Sequence, residues 1–243
     1  MTRFTYARSR AGQLETVAVD CVMIRLFERI EEDNVPWLLA AAARLRSVFG
    51  ARLIDLVPSY TTLMLHYDLL QLAPRDAAVL IIEALADLTP DSQIAGQCHE
   101  LPVWYDPSVG PELHRLASAG AFGIDEVIRR HCAKAYQVFA LGFTPGFAFM
   151  GLVEPALATP RLSTPRQKIM AGSVGIGERQ TAIYPSVSPG GWNILGRCPS
   201  ALFDREREGF ALMQPGDTVR FVAIDKAEFI HLGGDDTPLE SAA

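Results

Sequence analysis

The second half of the chain is unusually dense in glycine and proline. The segment from Gly142 to Gly216 contains 11 of the 19 glycines and 8 of the 16 prolines in the 243 residues. Glycine permits backbone angles that other residues avoid, whereas proline fixes φ and has no N–H donor. This density argues against long helices. It predicts short strands joined by tight turns, which is the pattern of a closed or nearly closed β-barrel.

The first hundred residues alternate between strand-like and helix-like patterns. The first predicted helix has Asn34 as its N-cap and Gly50 as its stop, and the second begins at Pro74. The predicted order, β-α-β-β-α-β, is that of the split βαβ, or ferredoxin-like, fold. These elements are a strand at 16–26, a helix at 34–49, strands at 51–57 and 61–67, a helix at 74–88 and a strand at 98–105.

The expected fold class is therefore α+β, with a ferredoxin-like domain followed by a β-barrel domain. Two short helices, near 110–118 and 124–133, are expected before the main run of barrel strands. Those strands are predicted at 136–143, 182–185, 191–196 and 218–224. The predicted division is a loose N-terminus at 1–15, the ferredoxin-like domain at 16–97, the barrel domain at 98–233 and a frayed tail at 234–243.

Charge and cysteine content narrow the class of protein. The formal net charge is −6, and non-specific nucleic-acid binding requires a basic surface, so no nucleic-acid partner is expected. No apolar run approaches the roughly 18 residues of a membrane span, and no signal-peptide pattern follows the basic N-terminus. The four cysteines are far apart and form no CxxC motif, which is typical of reduced thiols. A cytoplasmic protein without a membrane partner is predicted.

Four motifs follow one another in the glycine- and proline-rich segment. They read GFTPGFAFMG at 142–151, PRLSTPRQK at 160–168, AGSVGIG at 171–177 and YPSVSPGGWNILG at 184–196. In this order they resemble the family called allophanate hydrolase subunit 1, which includes the B-type subunit of bacterial 5-oxoprolinase and a sporulation-kinase inhibitor. The resemblance implies that the barrel is cyclophilin-like.

The resemblance also implies a function. It points to one subunit of a heteromeric enzyme that uses ATP, with Mg²⁺, to open the lactam 5-oxoproline to glutamate. The implied partners are a subunit-2-type (C-type) protein and a further 5-oxoprolinase subunit, and the chain alone is expected to be inactive. Contacts to ATP are expected to be shared with a partner, because no Gly-Lys-Ser/Thr loop is present.

Two other functions stay open at this point. The motifs also resemble the carboxyltransferase region of urea carboxylase, which would imply transfer of a carboxyl group from biotin to urea or a related amide. The kinase-inhibitor branch of the family implies a non-catalytic protein that binds a sensor histidine kinase. A cyclophilin-like fold does not by itself imply prolyl isomerase activity.

Three cations within the second motif are the predicted catalytic residues. Arg161, Arg166 and Lys168 lie among prolines that fix the backbone. Arginine presents a planar fork that suits a carboxylate or a phosphate, and lysine presents a compact charge. The alternative is that they form ordinary surface ion pairs, which contribute about 0–1 kcal/mol each.

Other residues of the motifs are predicted to bind the substrate. The segment at 171–177 is predicted either to wrap an anion with its backbone N–H groups or to be a strand edge with a tight bend. Trp192 is predicted either to stack on a ligand ring or to anchor packing. The predicted substrate-binding residues are Phe143, Pro145, Phe147, Gly172, Ser173, Tyr184, Gly190, Gly191, Trp192 and Asn193.

His131 is a possible general acid or base. It shares the apolar face of the helix at 124–133 with Val127 and Ile128, so a hydrogen-bonded core histidine is the competing interpretation. The remaining histidines show no metal-ligand spacing, and neither HExxH nor GxSxG occurs. No metal site is predicted.

Overall fold

The computed structural model describes residues 2–90 and 96–239. The chain divides into two compact units, residues 1–95 and 96–243. A mixed sheet-and-helix unit is followed by a closed seven-stranded β-barrel, so the predicted α+β class with a barrel in the second half is confirmed. In the described part of the chain, no helix is long and apolar enough to cross a membrane.

The first unit is an antiparallel sheet with two helices. The sheet order is β1-β2-β3-β5-β4, so β5 lies between β3 and β4, the two strands that α1 connects. This split βαβ arrangement is the predicted one for β3, α1, β4 and β5. The elements are β1 (Thr2–Tyr6), β2 (Arg10–Ala18), β3 (Cys21–Arg25), α1 (Val35–Phe49), β4 (Leu53–Ser59), β5 (Thr62–Tyr67) and α2 (Pro74–Leu85).

Two predictions for this unit are wrong. Residues 1–15 are not loose, because β1 and β2 pair as a hairpin that buries Phe4 and Tyr6. The stretch at 16–26 is not one strand, because the chain turns between β2 and β3. Residues 98–105 complete the predicted β-α-β-β-α-β order but fall within the predicted bounds of the barrel domain, and the structure places them in the barrel. Strand β2 takes the position of the fourth strand in the ferredoxin-like sheet.

One face of this sheet is buried against the helices. Ile24 of β3 pairs with Leu63 of β5, and both side chains are fully buried. Apolar residues at every second strand position thus meet the apolar face of α1. Helix α1 ends at Gly50 as predicted, with φ of 52°. Asn34, however, is not a side-chain cap, because its amide donates to the Arg29 carbonyl at 2.7 Å.

The second unit is built around the barrel. The barrel order is β10-β11-β8-β7-β14-β6-β13, in which only β6 and β14 pair in parallel. Strands β9 and β12 form a separate two-stranded sheet. The strands are β6 (Cys98–Trp104), β7 (Ala135–Leu141), β8 (Ala148–Gly151), β9 (Arg166–Ile169), β10 (Ser173–Gly177), β11 (Gln180–Ile183), β12 (Ser188–Gly190), β13 (Asn193–Arg197) and β14 (Thr218–Ile224). The helices are α3 (Leu113–Gly120), α4 (Ile124–Cys132) and α5 (Lys226–His231).

The predicted barrel strands correspond to β7, β11, β13 and β14. The sequence analysis did not predict β8, β9 and β12, which have three or four residues each, whereas a strand at β10 was one of the two alternatives for the segment at 171–177. Glycine in β10 serves close packing: a Cβ on Gly177 would lie 2.8 Å from the Trp192 ring. The barrel interior is filled by apolar side chains that include Val138, Met150, Val174, Ile176 and Phe221.

The tail is packed, and its predicted fraying is wrong for residues 234–239. Arg197 Nη1 donates to the carbonyls of Asp235 at 2.6 Å and Thr237 at 2.7 Å. The Leu239 N–H donates to the Ser108 carbonyl at 2.8 Å, and the Leu239 side chain is buried. Residues 235–239 therefore form a C-terminal strap over the barrel unit. Residues 240–243 lie outside the described part of the chain.

Candidate functional site

Arg166 and Glu112 form a buried ion pair. Arg166 begins β9, and Glu112 immediately precedes α3. The Arg166 Nη2 atom lies 2.5 Å from Glu112 Oε1, and both side chains are more than nine-tenths buried. The second carboxylate oxygen, Oε2, accepts a hydrogen bond from the Ile194 N–H at 2.9 Å. Glu112 therefore ties β9 to β13, and the charge of Arg166 is balanced within the protein.

The other two predicted cations are exposed. The guanidinium carbon of Arg161 lies 5.7 Å from the centroid of the Trp192 ring, which is within the range of a cation–π interaction. Lys168 lies on β9, two residues after Arg166. Arg161 and Lys168 thus present their charges to solvent, where an anionic ligand can reach them, whereas Arg166 is enclosed.

The hydroxyl of Tyr184 lies near both arginines. Burial raises the pKa of Tyr184 to about 12, while a hydrogen bond from the Trp192 backbone and the charges of Arg161 and Arg166 act in the opposite direction. Both guanidinium groups are therefore close enough to act on this one phenol. Burial therefore favours the protonated phenol.

An aromatic cluster, Phe143, Phe147, Tyr184 and Trp192, connects the motifs. The ring of Phe147 lies 5.3 Å from the rings of Phe143 and Tyr184 and 5.8 Å from that of Trp192, in edge-to-face geometry. Phe147, Tyr184 and Trp192 are buried, whereas Phe143 is 62% exposed. The three buried rings support the surface on which Arg161 and Phe143 are displayed. Trp192 is thus mainly a packing anchor.

An open groove adjoins the aromatic cluster. It has a volume of about 470 Å³ and is lined by Phe143, Pro145, Phe203 and Phe210, among others. Phe143 and Phe210 have φ of 67° and 63°, a region that bulky residues rarely adopt. Exposed aromatic side chains on a constrained backbone are typical of an interaction surface.

The glycine-rich segment at 171–177 is mostly strand β10 and not a loop around an anion. Gly172 has φ of 80°, and its N–H donates to the Tyr184 carbonyl at 2.8 Å. A Cβ at Gly172 would clash with the Cys198 carbonyl oxygen. Ser173, the first residue of β10, is fully buried. The geometry therefore favours the strand-edge interpretation over the anion-binding one.

The PGGW turn positions its neighbours. A Cβ on Gly190 would clash with the Tyr184 hydroxyl oxygen, whereas one on Gly191 would meet no atom nearer than 3.5 Å. The buried side chain of Asn193 donates from Nδ2 to the carbonyls of Pro160 at 3.1 Å and Ile176 at 3.0 Å. Asn193 therefore fixes the residue that precedes Arg161 against the barrel.

His131 lies in the barrel core. Its side chain is completely buried and stacks on Phe221 at 4.5 Å between ring centroids. Nε2 lies 3.0 Å from Thr181 Oγ1, which itself donates to the Gly175 carbonyl, and Nδ1 lies 2.8 Å from the Tyr105 hydroxyl. Burial lowers the pKa of His131 to about 3. A neutral, enclosed imidazole fits a structural role and is out of reach of a substrate.

Sequence reasoning missed four residues around the site. Glu112 belongs to the sequence GPEL at 110–113, and nothing in the neighbouring residues indicates that it pairs with Arg166, 54 positions away. Arg197 directly follows the last motif, and nothing in the sequence around it indicates that its side chain is buried. Phe203 and Phe210 flank a charged loop that resembles an ordinary solvated turn. Among the described residues, no group of three His, Cys, Asp or Glu side chains is placed to hold a metal ion.

The family of the chain follows from comparison with known proteins. A family model described as carboxyltransferase domain, subdomain C and D, matches residues 13–213. The chain therefore belongs to this family of carboxyltransferase-type domains. It is 34% identical over 227 residues to a Bacillus subtilis (strain 168) protein named as the B-type subunit of 5-oxoprolinase, a match that covers 89% of this chain and 95% of the relative. The resemblance expected from the four motifs is thus confirmed.

Two solved structures share the fold. A protein named TTHA0988 is 37% identical with a TM-score of 0.74, and the match covers 84% of this chain and 40% of that one. This chain therefore spans less than half the length of that relative. Kluyveromyces lactis urea carboxylase matches with a TM-score of 0.77 at 14% identity, over 98% of this chain and 24% of the larger one. At that identity the likeness shows the fold alone.

Proposed function

We propose that this chain is the B-type subunit of an ATP-dependent 5-oxoprolinase, which hydrolyses the lactam of 5-oxoproline to glutamate. The observation that carries the proposal is the match along 95% of the Bacillus subtilis relative that bears the 5-oxoprolinase name. In the overall reaction, water cleaves the ring amide and a second water cleaves ATP to ADP and phosphate. The chain works in the cytoplasm as part of a complex.

The exposed cations suit the substrate of this reaction. 5-Oxoproline is a small planar amide that carries one carboxylate. Arg161 offers a fork for that carboxylate beside the Trp192 ring, and Lys168 adds positive charge from β9. Arg166 acts as a positioning residue, since its ion pair with Glu112 holds β9 in place.

Contacts to ATP are assigned to the partner subunits. In this chain, the N–H of Gly172 is used by Tyr184, and Gly177 packs on Trp192, so the glycine-rich segment does not fit a triphosphate. No Gly-Lys-Ser/Thr sequence follows it. A subunit-2-type protein and a further subunit therefore supply the nucleotide and Mg²⁺ site, and this chain alone does not turn over ATP.

The open groove is assigned to the subunit-2-type partner. In the TTHA0988 relative, the matched part is 40% of one longer polypeptide, so a domain like this one occurs joined to other protein. The same place is assigned to the subunit-2-type partner of the proposed complex. The exposed rings of Phe143, Phe203 and Phe210 provide the apolar surface that such a contact buries.

The test is reconstitution. The chain is co-expressed with the proteins encoded beside it, and glutamate and ADP are measured with 5-oxoproline as substrate. Production of both only by the full assembly supports the proposal. Equal ATP turnover by this chain alone contradicts the assignment of the nucleotide site to the partner subunits, and an assembly without 5-oxoproline turnover contradicts the function.

The family model, which is described as a carboxyltransferase domain, supports a second candidate, a biotin-dependent carboxyltransferase. The same assembly is therefore supplied with urea, bicarbonate, ATP, a biotin carboxylase and a biotinylated carrier protein, so that carboxybiotin can form from bicarbonate and ATP. Carboxylation of urea, measured as incorporation of labelled bicarbonate, would select this alternative over lactam hydrolysis.

A further inference from the structure

Arg197 is a buried arginine without a carboxylate partner among the described residues. It is the last residue of β13, and its side chain is 1% exposed. Its Nη1 atom is used by the carbonyls of Asp235 and Thr237 in the C-terminal strap. Its Nε and Nη2 atoms are buried and have no hydrogen-bond partner within residues 2–90 and 96–239. Burial lowers the pKa of Arg197, although the nearby charges of Asp235 and Asp236 act in the opposite direction. Two of its buried donors lack a hydrogen-bond partner in the described part of the chain, so this arrangement requires an explanation.

The acidic side chains nearest in the strap are already engaged. The Asp235 carboxylate accepts hydrogen bonds from the N–H of Thr237 at 2.9 Å and from its hydroxyl at 2.6 Å. The Asp236 carboxylate pairs with Lys226 at 2.7 Å. The strap thus supplies neutral carbonyls to Arg197, and the two carboxylates are held elsewhere.

Ser173 provides a third donor on the same strand pair. It lies directly opposite Arg197 in the β10–β13 ladder, so the two side chains project from the same face of the sheet. Ser173 is fully buried, and its hydroxyl has no hydrogen-bond partner in the part of the chain that the structure describes. Three buried donors, two of them on one guanidinium group, therefore belong to one cross-strand pair of residues.

The Nε and Nη2 atoms of Arg197 determine which class of ligand fits the site. The Nε–H and Nη2–H bonds of a guanidinium group are parallel, and together they form the fork that binds both oxygens of a carboxylate. We propose that Arg197 and Ser173 form a binding site for a small planar oxyanion of the carboxylate or bicarbonate class, enclosed by the C-terminal strap. Formate is the smallest ligand of the carboxylate class. This site does not include Arg161, and the inference does not depend on the proposed 5-oxoprolinase function.

The test uses formate as the probe and the intact chain as the protein. Thermal unfolding is measured in an oxyanion-free buffer while sodium formate or sodium chloride is added at equal ionic strength. A ligand that binds only the folded state stabilises it by RT ln(1 + [L]/Kd). We expect Tm to rise with the logarithm of the formate concentration above Kd, and chloride not to reproduce this rise. An equal response to both salts would overturn the proposal, since it would show a general salt effect.

Two variants link the response to the named residues. Arg197→Lys keeps the charge and a donor for the strap but removes the fork, so the formate response should disappear. Ser173→Ala removes one neutral donor, so the apparent Kd should rise about fivefold. Arg205→Lys, at an exposed position, is the matched control and should respond like the unchanged protein.

A second measurement covers the case in which Arg197→Lys does not fold. Line broadening of ¹³C-labelled formate is recorded with the unchanged protein and with Ser173→Ala. Broadening that weakens in the variant supports the site. Absence of broadening with the unchanged protein, or a crystal grown in formate with only water at the Arg197 fork, contradicts it.

Discussion

Glu112 and Arg166 are 54 positions apart in the chain and form an ion pair at 2.5 Å inside the barrel unit. The same carboxylate accepts a hydrogen bond from the backbone of Ile194, so it joins β9, β13 and the start of α3. Arg166 was predicted as a catalytic cation, but its placement makes it a residue that holds the surface carrying Lys168. Its effect on activity is therefore expected to come through stability and position.

We expect Glu112→Ala to lower the free energy of unfolding by about 3–5 kcal/mol, because it removes the carboxylate that forms a buried ion pair with Arg166 and accepts the Ile194 N–H. Urea denaturation measures the change. The control is Glu126→Ala, which breaks two solvent-accessible pairs on α4, with Arg129 and with Arg130, and should cost no more than about 1 kcal/mol. If both variants lose the same free energy of unfolding, the buried Glu112–Arg166 pair contributes no more to stability than the exposed pairs of Glu126.

Arg161→Ala should reduce kcat/KM for 5-oxoproline in the reconstituted enzyme at least tenfold, which corresponds to about 1.4 kcal/mol. The reason is loss of the exposed fork beside Trp192, and Tm should stay unchanged because the side chain is exposed. Arg161→Lys should recover only part of the rate, since it restores charge without the fork. Arg205→Ala is the control. If it lowers kcat/KM as much as Arg161→Ala does, Arg161 has no specific role in binding the substrate.

The PGGW turn permits a sharp comparison between adjacent glycines. Gly190→Ala would drive a methyl group into the Tyr184 hydroxyl oxygen, whereas Gly191→Ala has space. We expect Gly190→Ala to lower the free energy of unfolding by about 1–3 kcal/mol and Gly191→Ala to change it much less. Combining Gly190→Ala with Tyr184→Phe should restore part of the loss, because the clashing oxygen is removed. Simple additivity of the two substitutions in urea denaturation would contradict this contact.

Local signals explain which parts of the fold could be predicted. Pro74 and Gly50 mark helix ends through the backbone of one or two residues, so α1 and α2 were found within three residues. The β1–β2 hairpin was missed because its first strand shows the buried period only at Phe4 and Tyr6, among exposed polar residues. A period of two positions in a five-residue strand is too short to separate from a loop.

The candidate site likewise combines residues that local sequence patterns predicted with residues that they did not predict. Motif order was enough to predict that Arg161, Tyr184 and Trp192 belong together, and the structure does place their side chains around one cluster. The burial of Arg166 depends on Glu112, which approaches only when the barrel closes. The pairing of two residues so far apart leaves no local pattern in the sequence. The sequence therefore could not show that Arg166 is enclosed, whereas Arg161 and Lys168 are exposed.

The groove assignment predicts a loss of assembly without a loss of folding. Phe143→Ser combined with Phe210→Ser removes two exposed rings, so partner affinity should fall at least tenfold while Tm of the isolated chain stays within a few degrees. Binding of the subunit-2-type protein is measured by isothermal titration calorimetry. Val187→Ser, at an exposed apolar position that does not line this groove, is the control. Unchanged affinity in the double variant would place the partner elsewhere.

His131 should make the stability of the protein depend on pH. Burial lowers its pKa to about 3 in the folded state, against 6.5 for the ordinary group. Between these values the unfolded chain binds a proton that the folded chain does not, so stability is lost as pH falls from about 6.5 towards 3. At pH 5 the loss attributable to this residue should be about 2 kcal/mol relative to its high-pH limit.

The comparison with His131→Gln isolates this effect from that of the carboxylates. A glutamine amide can donate to Thr181 and accept from Tyr105 but does not titrate, so the free energy of unfolding should fall less steeply between pH 7 and pH 5 than in the unchanged protein. Urea denaturation at both pH values measures the difference. His114→Gln, at an exposed position on α3, is the control and should leave the slope unchanged. Parallel pH profiles for His131→Gln and the unchanged protein would show that this imidazole is protonated equally in both states.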